Sequence, residues 1–307
     1  MNFTLHQLRI FQKVASTLNI TKAAEELYLT QPAVSIQLKH FQEQFDLPLL
    51  ETVNKKIYLT DFGREIVAAA ESLLDGANAL QYRMHAFEGR LAGKLKLSVV
   101  STGKYIAPYF LTDFMKENPG VELVMDVTNK SRVISSLEQN EVDFALVSVL
   151  PEQLRIDKIT LMQNKLFLVG NRDHGYRKKE YDKRIFEQLP LIYREAGSGT
   201  RHVMEGFFRK NRLPLTKKME LTSNEAVKQA VIAGLGFSIM PLIGIRNELQ
   251  SRQLEIIPVK GFPVTSVWTL IWLKAKKLSP VAAAYLQFLK SQKQSIIEGK
   301  FDWYEKY

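Results

Sequence analysis

The chain has 307 residues, 46% hydrophobic and 24% charged, which allows two or more domains with sizeable cores and excludes a disordered polymer. Zero cysteines exclude disulfides, thiolate chemistry, redox sensing through thiols and Cys-ligated metals. The formal charge of +10 suggests a polyanion partner, yet residues 1–60 carry six basic against five acidic side chains, while residues 167–300 carry 23 against 11.

No apolar run reaches the ~18 residues of a membrane span. The start, MNFTLHQLRIFQ, shows no basic segment leading into an apolar core. A cytoplasmic protein with no membrane partner and no cofactor is expected.

In chain order, Leu5, Leu8, Phe11, Val14, Ala15 and Leu18 recur at helical spacing and predict an amphipathic helix. Thr21 offers an N-cap for a short second helix faced by Ala23, Ala24 and Leu27. Thr30 caps a third, and Pro32 fits its first turn, where a missing N–H costs nothing. Val34, Leu38, Phe41 and Phe45 form its buried stripe. The opposite face carries Pro32, Ile36, Lys39, His40 and Glu43, with Ala33 and Ser35 on its flanks. Thr30, Gln31 and Gln37 are counted with Pro32, Ala33, Ser35, Ile36 and Lys39 as candidate DNA contacts.

Ile36 is wasted on a polar face unless something covers it. Thymine methyls in a major groove would, while Ser35 and Gln37 reach base edges or phosphates. Two helices joined by a short turn, the second with this face, fit a helix-turn-helix. PLLETVNKKIYLTDFG (48–63) predicts a hairpin with Lys55 and Lys56 at its tip, a wing placed to meet phosphates.

The stretch AAEELYLTQPAVSIQLKHFQEQFDLPLL…LTDFG resembles the N-terminal signature of the LysR-type transcriptional regulators. Where that family commonly carries a basic residue just after the wing's leucine pair, this chain has Thr52, leaving more of the phosphate contact to Lys55 and Lys56.

Beyond Thr60, Ile66, Ala70, Leu73, Ala77, Leu80, Met84, Phe87 and Leu91 alternate spacings of four and three, a heptad seam. A helix over 61–89 is expected to pair subunits, because two-fold symmetry lets one protein read both halves of an interrupted palindromic operator on double-stranded DNA. The resemblance implies the same role, and it adds a homotetramer built from two homodimers, with RNA polymerase as a further partner.

From residue 91 strands alternate with helices, an α/β texture of largely parallel βαβ units. Strands are expected at 94–101, 121–127, 142–150, 165–171, 189–195, 217–222, 237–241 and 267–275. Helices are expected at 105–119, 131–140, 200–211, 224–234 and 280–292. The domains are then 1–60, winged helix-turn-helix; 61–90, linker helix; and 91–307, effector-binding. The last comprises two α/β lobes (about 91–164 plus 266–307, and about 165–265), resembling the family's periplasmic-binding-protein-like effector domain with a cleft between them.

Strand-to-helix junctions are where an anion would sit. Ser101 and Thr102 mark one junction, Asn129 and Ser131 a second, and Ser148 ends a strand. The third junction, REAGSGTR (194–201), has Arg194 and Arg201 at its ends, Ser198 between two glycines, and Thr200 as cap of the next helix. Together with SNEAVKQAVIAGLGFSIMPL (223–242), it resembles the CbbR-type branch of Calvin-cycle operon regulators. That implies a small anionic metabolite as effector.

Two rival readings carry less. The five histidines sit at no metal-ligand spacing, and Ser198 with His202 lacks a marked partner acid, so no catalysis is expected. A solute-binding protein without DNA function would suit the lobes but leaves residues 1–90 unexplained. The tail IIEGKFDWYEKY (296–307) is consistent with docking or fraying.

Overall fold

The computed structural model describes residues 2–54, 56–87, 91–173, 175–214 and 217–307, which divide into two compact units, 1–90 and 91–307. No helix among them is long and apolar enough to cross a membrane.

The first unit contains α1 (Leu5–Thr17), α2 (Ile20–Glu26), α3 (Gln31–Gln42), the hairpin β1 (Leu50–Val53) and β2 (Lys56–Leu59), and α4 (Asp61–Phe87). A capping box starts α1: Gln7 N–H donates to Thr4 Oγ1 at 3.2 Å, and Thr4 N–H donates to Gln7 Oε1 at 2.9 Å. Asn19, not Thr21, caps α2, its Oδ1 accepting from Lys22 N–H at 3.0 Å. Phe11, Val14, Ala23, Ala24, Val34, Leu38 and Phe41 fill one core. Phe41 is its hub, with ring centroids of Phe3, Phe11 and Phe45 at 5.6, 5.1 and 5.2 Å.

The expected seam on α4 divides. Ile66, Ala70 and Leu74 pack into this core, so the first part of the stripe is spent inside the chain. Leu73 and Leu80, seven apart, are 51% and 64% exposed. Met84 and Phe87 lie outside the residues whose side chains are described. Leu91 is not on the helix at all; it packs against the core of the second unit.

That unit runs β3 (Ala92–Val100), α5 (Ala107–Glu117), β4 (Gly120–Thr128), α6 (Lys130–Glu138), β5 (Phe144–Val147), β6 (Ile156–Asn171), β7 (Leu191–Arg194), α7 (Gly199–Lys210), β8 (Lys217–Leu221), α8 (Asn224–Ile232), β9 (Ser238–Pro241), α9 (Arg246–Gln250), β10 (Leu254–Ile256), β11 (Val264–Leu273) and α10 (Pro280–Phe301). The sheet is mixed rather than largely parallel, because the chain returns through long strands instead of helical crossovers. Its order is β10-β6-β11-β5-β3-β4, with β9 also on β6. Among the described strands, β3 pairs in parallel with β4 and β5, and the separate β7 with β8, while single parallel bridges join Leu191 to Phe237 and Tyr181 to Val259.

Strand β6 starts at Ile156, well before the expected 165, and is the spine of the unit. Its first part pairs β11 from Ile156 to Leu166, and its second part pairs β9 and β10 from Leu166 to Asn171. Most of the core lies on the β3–β5 half, around Phe110, Phe144, Trp268 and Tyr285, while Phe186, Tyr193 and Phe208 center a second cluster under α7.

The tail docks. Helix α10 continues nine residues past the expected 292, and Phe301 and Tyr304 are buried. The Lys165 ammonium donates to Tyr304 O (3.1 Å), Tyr307 O (3.1 Å) and Glu305 Oε2 (3.2 Å), and Lys165 N–H donates to the Tyr304 hydroxyl at 2.7 Å.

Candidate DNA-reading face and candidate effector cavity

Thr30 caps α3, its Oγ1 accepting from Ala33 N–H at 3.4 Å, and Pro32 lies in the first turn. Burial of Val34, Leu38 and Phe41 fixes the rotation of the helix, and Gln31, Pro32, Ile36, Lys39 and His40 are left exposed. Ile36 is 54% exposed with nothing in its own unit to cover it. Gln31 Nε2 donates to Ser35 Oγ at 2.9 Å, which orders a polar edge, and Ala33, Ser35 and Gln37 are half-buried. Among the described residues Lys39 has a single ion contact, 3.9 Å to Glu43. In the hairpin, Val53 faces Lys56, which is exposed beside the turn; Lys55 lies outside the described residues.

In the second unit two helix amino termini converge. Asn129 caps α6, its Oδ1 accepting from Arg132 N–H at 3.0 Å. Ser198, rather than Thr200, caps α7, its Oγ accepting from Arg201 N–H at 3.5 Å. Gly197 adopts φ 87°, and a Cβ there would come 2.6 Å from Ser131 Oγ; one on Gly199 would come 3.3 Å from Ser148 Oγ. The glycines of the REAGSGTR loop are therefore what let α7 approach Ser131 and Ser148. A cavity of about 560 Å³ opens there, between α6, residues 149–154 and the start of α7. That volume falls within the range of ligand pockets.

The two arginines at the ends of the loop do not stand free; each is held by carboxylates. Arg194 is buried. It grips Glu195 through Nε (2.8 Å) and Nη2 (2.9 Å), and Nη2 also donates to Ser101 Oγ at 3.1 Å. Only its Nη1 is unpartnered. Arg201 donates to Glu205 at 2.7 Å, Glu220 at 2.9 Å and Arg194 O at 3.1 Å, and the Glu205 hydrogen bond above all raises its pKa. Thus Ser101 and Arg194 meet across the unit, with Thr102 buried beside Ser101, while Ser131 and Ser198 line the cavity and Ser148 lies behind it against Gly199. Thr200 is buried in the first turn of α7.

Sequence reasoning left Lys130 out of the site. It lines the cavity, forms no ion pair among the described residues, and has its pKa lowered by burial against a smaller opposing pull from Glu152. Its position right after a helix cap was the signal. His202 also lines the cavity. Lys130 and the unspent N–H groups of two helix starts lend this cavity positive potential, and Glu138, Glu152 and Glu205 also line it.

A helical DNA-reader fold with a hairpin wing, followed by an α/β unit with a ligand-sized cavity, defines a ligand-responsive DNA-binding protein. Residues 5–64 match the bacterial regulatory helix-turn-helix proteins of the lysR family, and residues 88–294 match the LysR substrate binding domain. The chain is 37% identical over 298 residues to the HTH-type transcriptional activator CmpR of Synechocystis, spanning 96% of this chain and 97% of that one. It is 36% identical over 294 residues to a RuBisCO operon transcriptional regulator of Allochromatium vinosum, spanning 95% and 97%. Among solved structures, the Synechocystis CcmR regulatory domain in complex with 2-PG superposes with a TM-score of 0.63 at 30% identity, over 66% of this chain and 98% of that one. The chain belongs to the LysR family of transcriptional regulators, on the branch that holds the RuBisCO operon regulators.

Proposed function

We propose that this regulator senses a small anionic metabolite in the cavity where α6 and α7 meet, and reads an interrupted palindrome as a homodimer or homotetramer. The observation that carries the effector reading is the approach of two capped helix starts, Ser131 against Gly197, beside the unpaired Lys130. The solved relative in complex with 2-PG, a small molecule, supports this choice.

In this reading Lys130, Ser131 and Ser198 contact the ligand, and Ser148 supports the loop from behind Gly199. Arg194 bridges to Ser101, and Arg201 shapes the loop through its acid partners. Thr102, Asn129 and Thr200 position the helix starts. On the other unit, Ile36, Ser35 and Gln37 meet base edges, Gln31, Pro32 and Ala33 set the approach, and Lys39, Lys55 and Lys56 hold phosphates, with Thr30 fixing the helix start. Leu73 and Leu80 pair subunits. The protein works in the cytoplasm without catalysis, and RNA polymerase is a further partner. Ligand binding favors one arrangement of the lobes and so biases DNA binding.

The test is a thermal-shift screen of the full chain against phosphorylated and carboxylated metabolites. A ligand at ~100 times its dissociation constant adds ~2.7 kcal/mol of stability. The expected hit weakens in Lys130→Ala and Ser131→Ala; a hit indifferent to both moves the site elsewhere. Operator binding that weakens on Lys39→Ala separates this reading from a solute carrier.

A further inference from the structure

A second, smaller cavity of about 190 Å³ lies elsewhere on the effector unit and shares no lining residue with the first. Its walls include Tyr105, Tyr109 on α5, Lys228 on α8, Arg246 on α9, and Lys300 and Trp303 at the end of α10. At ~30 Å³ per water it holds about six waters, room for a phosphate and a few further atoms.

The charges around it are uneven. Lys228 is satisfied, with Glu248 at 2.7 Å and Glu225 at 3.0 Å. Arg246 and Lys300 form no ion pair with a carboxylate among the described residues. The Arg246 guanidinium stacks 4.5 Å from the Trp303 ring centroid, which fixes its plane and leaves its N–H edge available. The Tyr105 hydroxyl is buried without a hydrogen-bond partner, although its residue lines the cavity. A buried hydroxyl left unpaired is costly, and an oxyanion would accept a hydrogen bond from it.

We infer that this cavity is a second anion site, taking a phosphate group between Arg246 and Lys300 with the Tyr105 hydroxyl as an added donor. Two unpaired cations match the charge of a phosphate better than that of a single carboxylate. The walls come from both halves of the unit: Tyr105 and Tyr109 from the β3–β5 side, Lys228 and Arg246 from beyond the point where β6 changes partners. An occupant therefore joins the same two lobes as the α6/α7 cavity, and would act as a second input on their arrangement. It is independent of whether that first cavity binds the effector.

The full chain is titrated with sodium phosphate against chloride at equal ionic strength, by calorimetry and by tryptophan fluorescence. Saturable binding is expected. Arg246→Gln and Lys300→Gln, both at exposed positions, should each weaken it about tenfold or more, and Tyr105→Phe severalfold. Ser131→Ala should leave it unchanged. Glycerol 3-phosphate in a parallel titration separates the sources: tighter binding than phosphate points to a phosphate ester, equal or weaker binding to the free ion. No saturable binding, binding indifferent to both glutamine variants, or binding lost only in Ser131→Ala would overturn the assignment. A failed metabolite screen at the α6/α7 cavity would not touch it.

Discussion

The two units place their polar residues in opposite ways. On α3 the candidate contacts are what the core leaves outside: Ile36, Lys39 and Gln31 are exposed and nearly free of partners. In the effector unit most candidate contacts are buried or half-buried and tied to a neighbor, Arg194 to Glu195 and Ser101, Arg201 to two glutamates and Ser198 to its own helix, with Lys130 and the exposed Ser131 as the exceptions at the cavity. A reader of DNA needs a face, which can change without disturbing the fold beneath. A sensor of a small molecule needs an interior, so the same side chains serve recognition and stability.

Substitutions can break that comparison, and the largest effect belongs to neither site. Phe41→Ala removes the hub of the first core and should cost about 3–5 kcal/mol. In a calorimetric scan the transition of the first unit should fall or vanish while that of the effector unit stays. Next is Arg194→Ala, which strands Glu195 without its guanidinium. A loss of about 3 kcal/mol is expected in denaturant unfolding of the effector unit, with operator affinity in the absence of ligand less affected. An unchanged midpoint would mean that the buried pair contributes no net stability.

Alkaline pH sharpens the contrast more gently. Burial, with Glu205 adding to it, pushes the Tyr193 hydroxyl up to about 12, and burial also raises Tyr285 and Tyr304. Each holds its proton in the folded state where the unfolded chain would lose it. Their contribution is therefore present below the ordinary tyrosine pKa of ~10 and is lost as pH rises past it toward the folded values. Tyrosinate absorbance should lag that of a denatured control from pH 10 upward, and melting temperature should fall over the same window. All three tyrosines belong to the effector unit. The smallest stability effects are on α3. Ile36→Ala and Lys39→Ala should leave stability within about 0.5 kcal/mol. Ile36→Ala should alter base preference, and Lys39→Ala should lower affinity across sequences and reduce the salt slope by about one.

What was legible follows from the range of the interactions. The stripe Val34, Leu38, Phe41 fixes the orientation of α3 by local periodicity, and Thr30 with Pro32 marks its start without ambiguity. At α2 two capping residues stand two apart, Asn19 and Thr21, and nothing local ranks them. On α4 one run of spacings serves two purposes, Ile66 and Ala70 facing inward and Leu73 and Leu80 outward; periodicity reports that a face is apolar, not what covers it. The acid at Glu205 was readable, four residues from Arg201 on one helix. Glu220 was not, since only the pairing of β8 with β7 brings it there. The mixed sheet was hidden for the same reason: strand order is a long-range property.

That strand order carries a consequence for how the protein is made. In the sheet β11 lies between β5 and β6, and neither of those strands pairs with the other. Residues 264–273 must therefore arrive before residues 144–147 and the first part of β6 lose their open edges, whereas the contacts of the first unit are local and can form while the rest is still being synthesized. During elongation the nascent effector unit exposes two strand edges for about a hundred residues' worth of translation, the interval in which a chaperone has the most to protect.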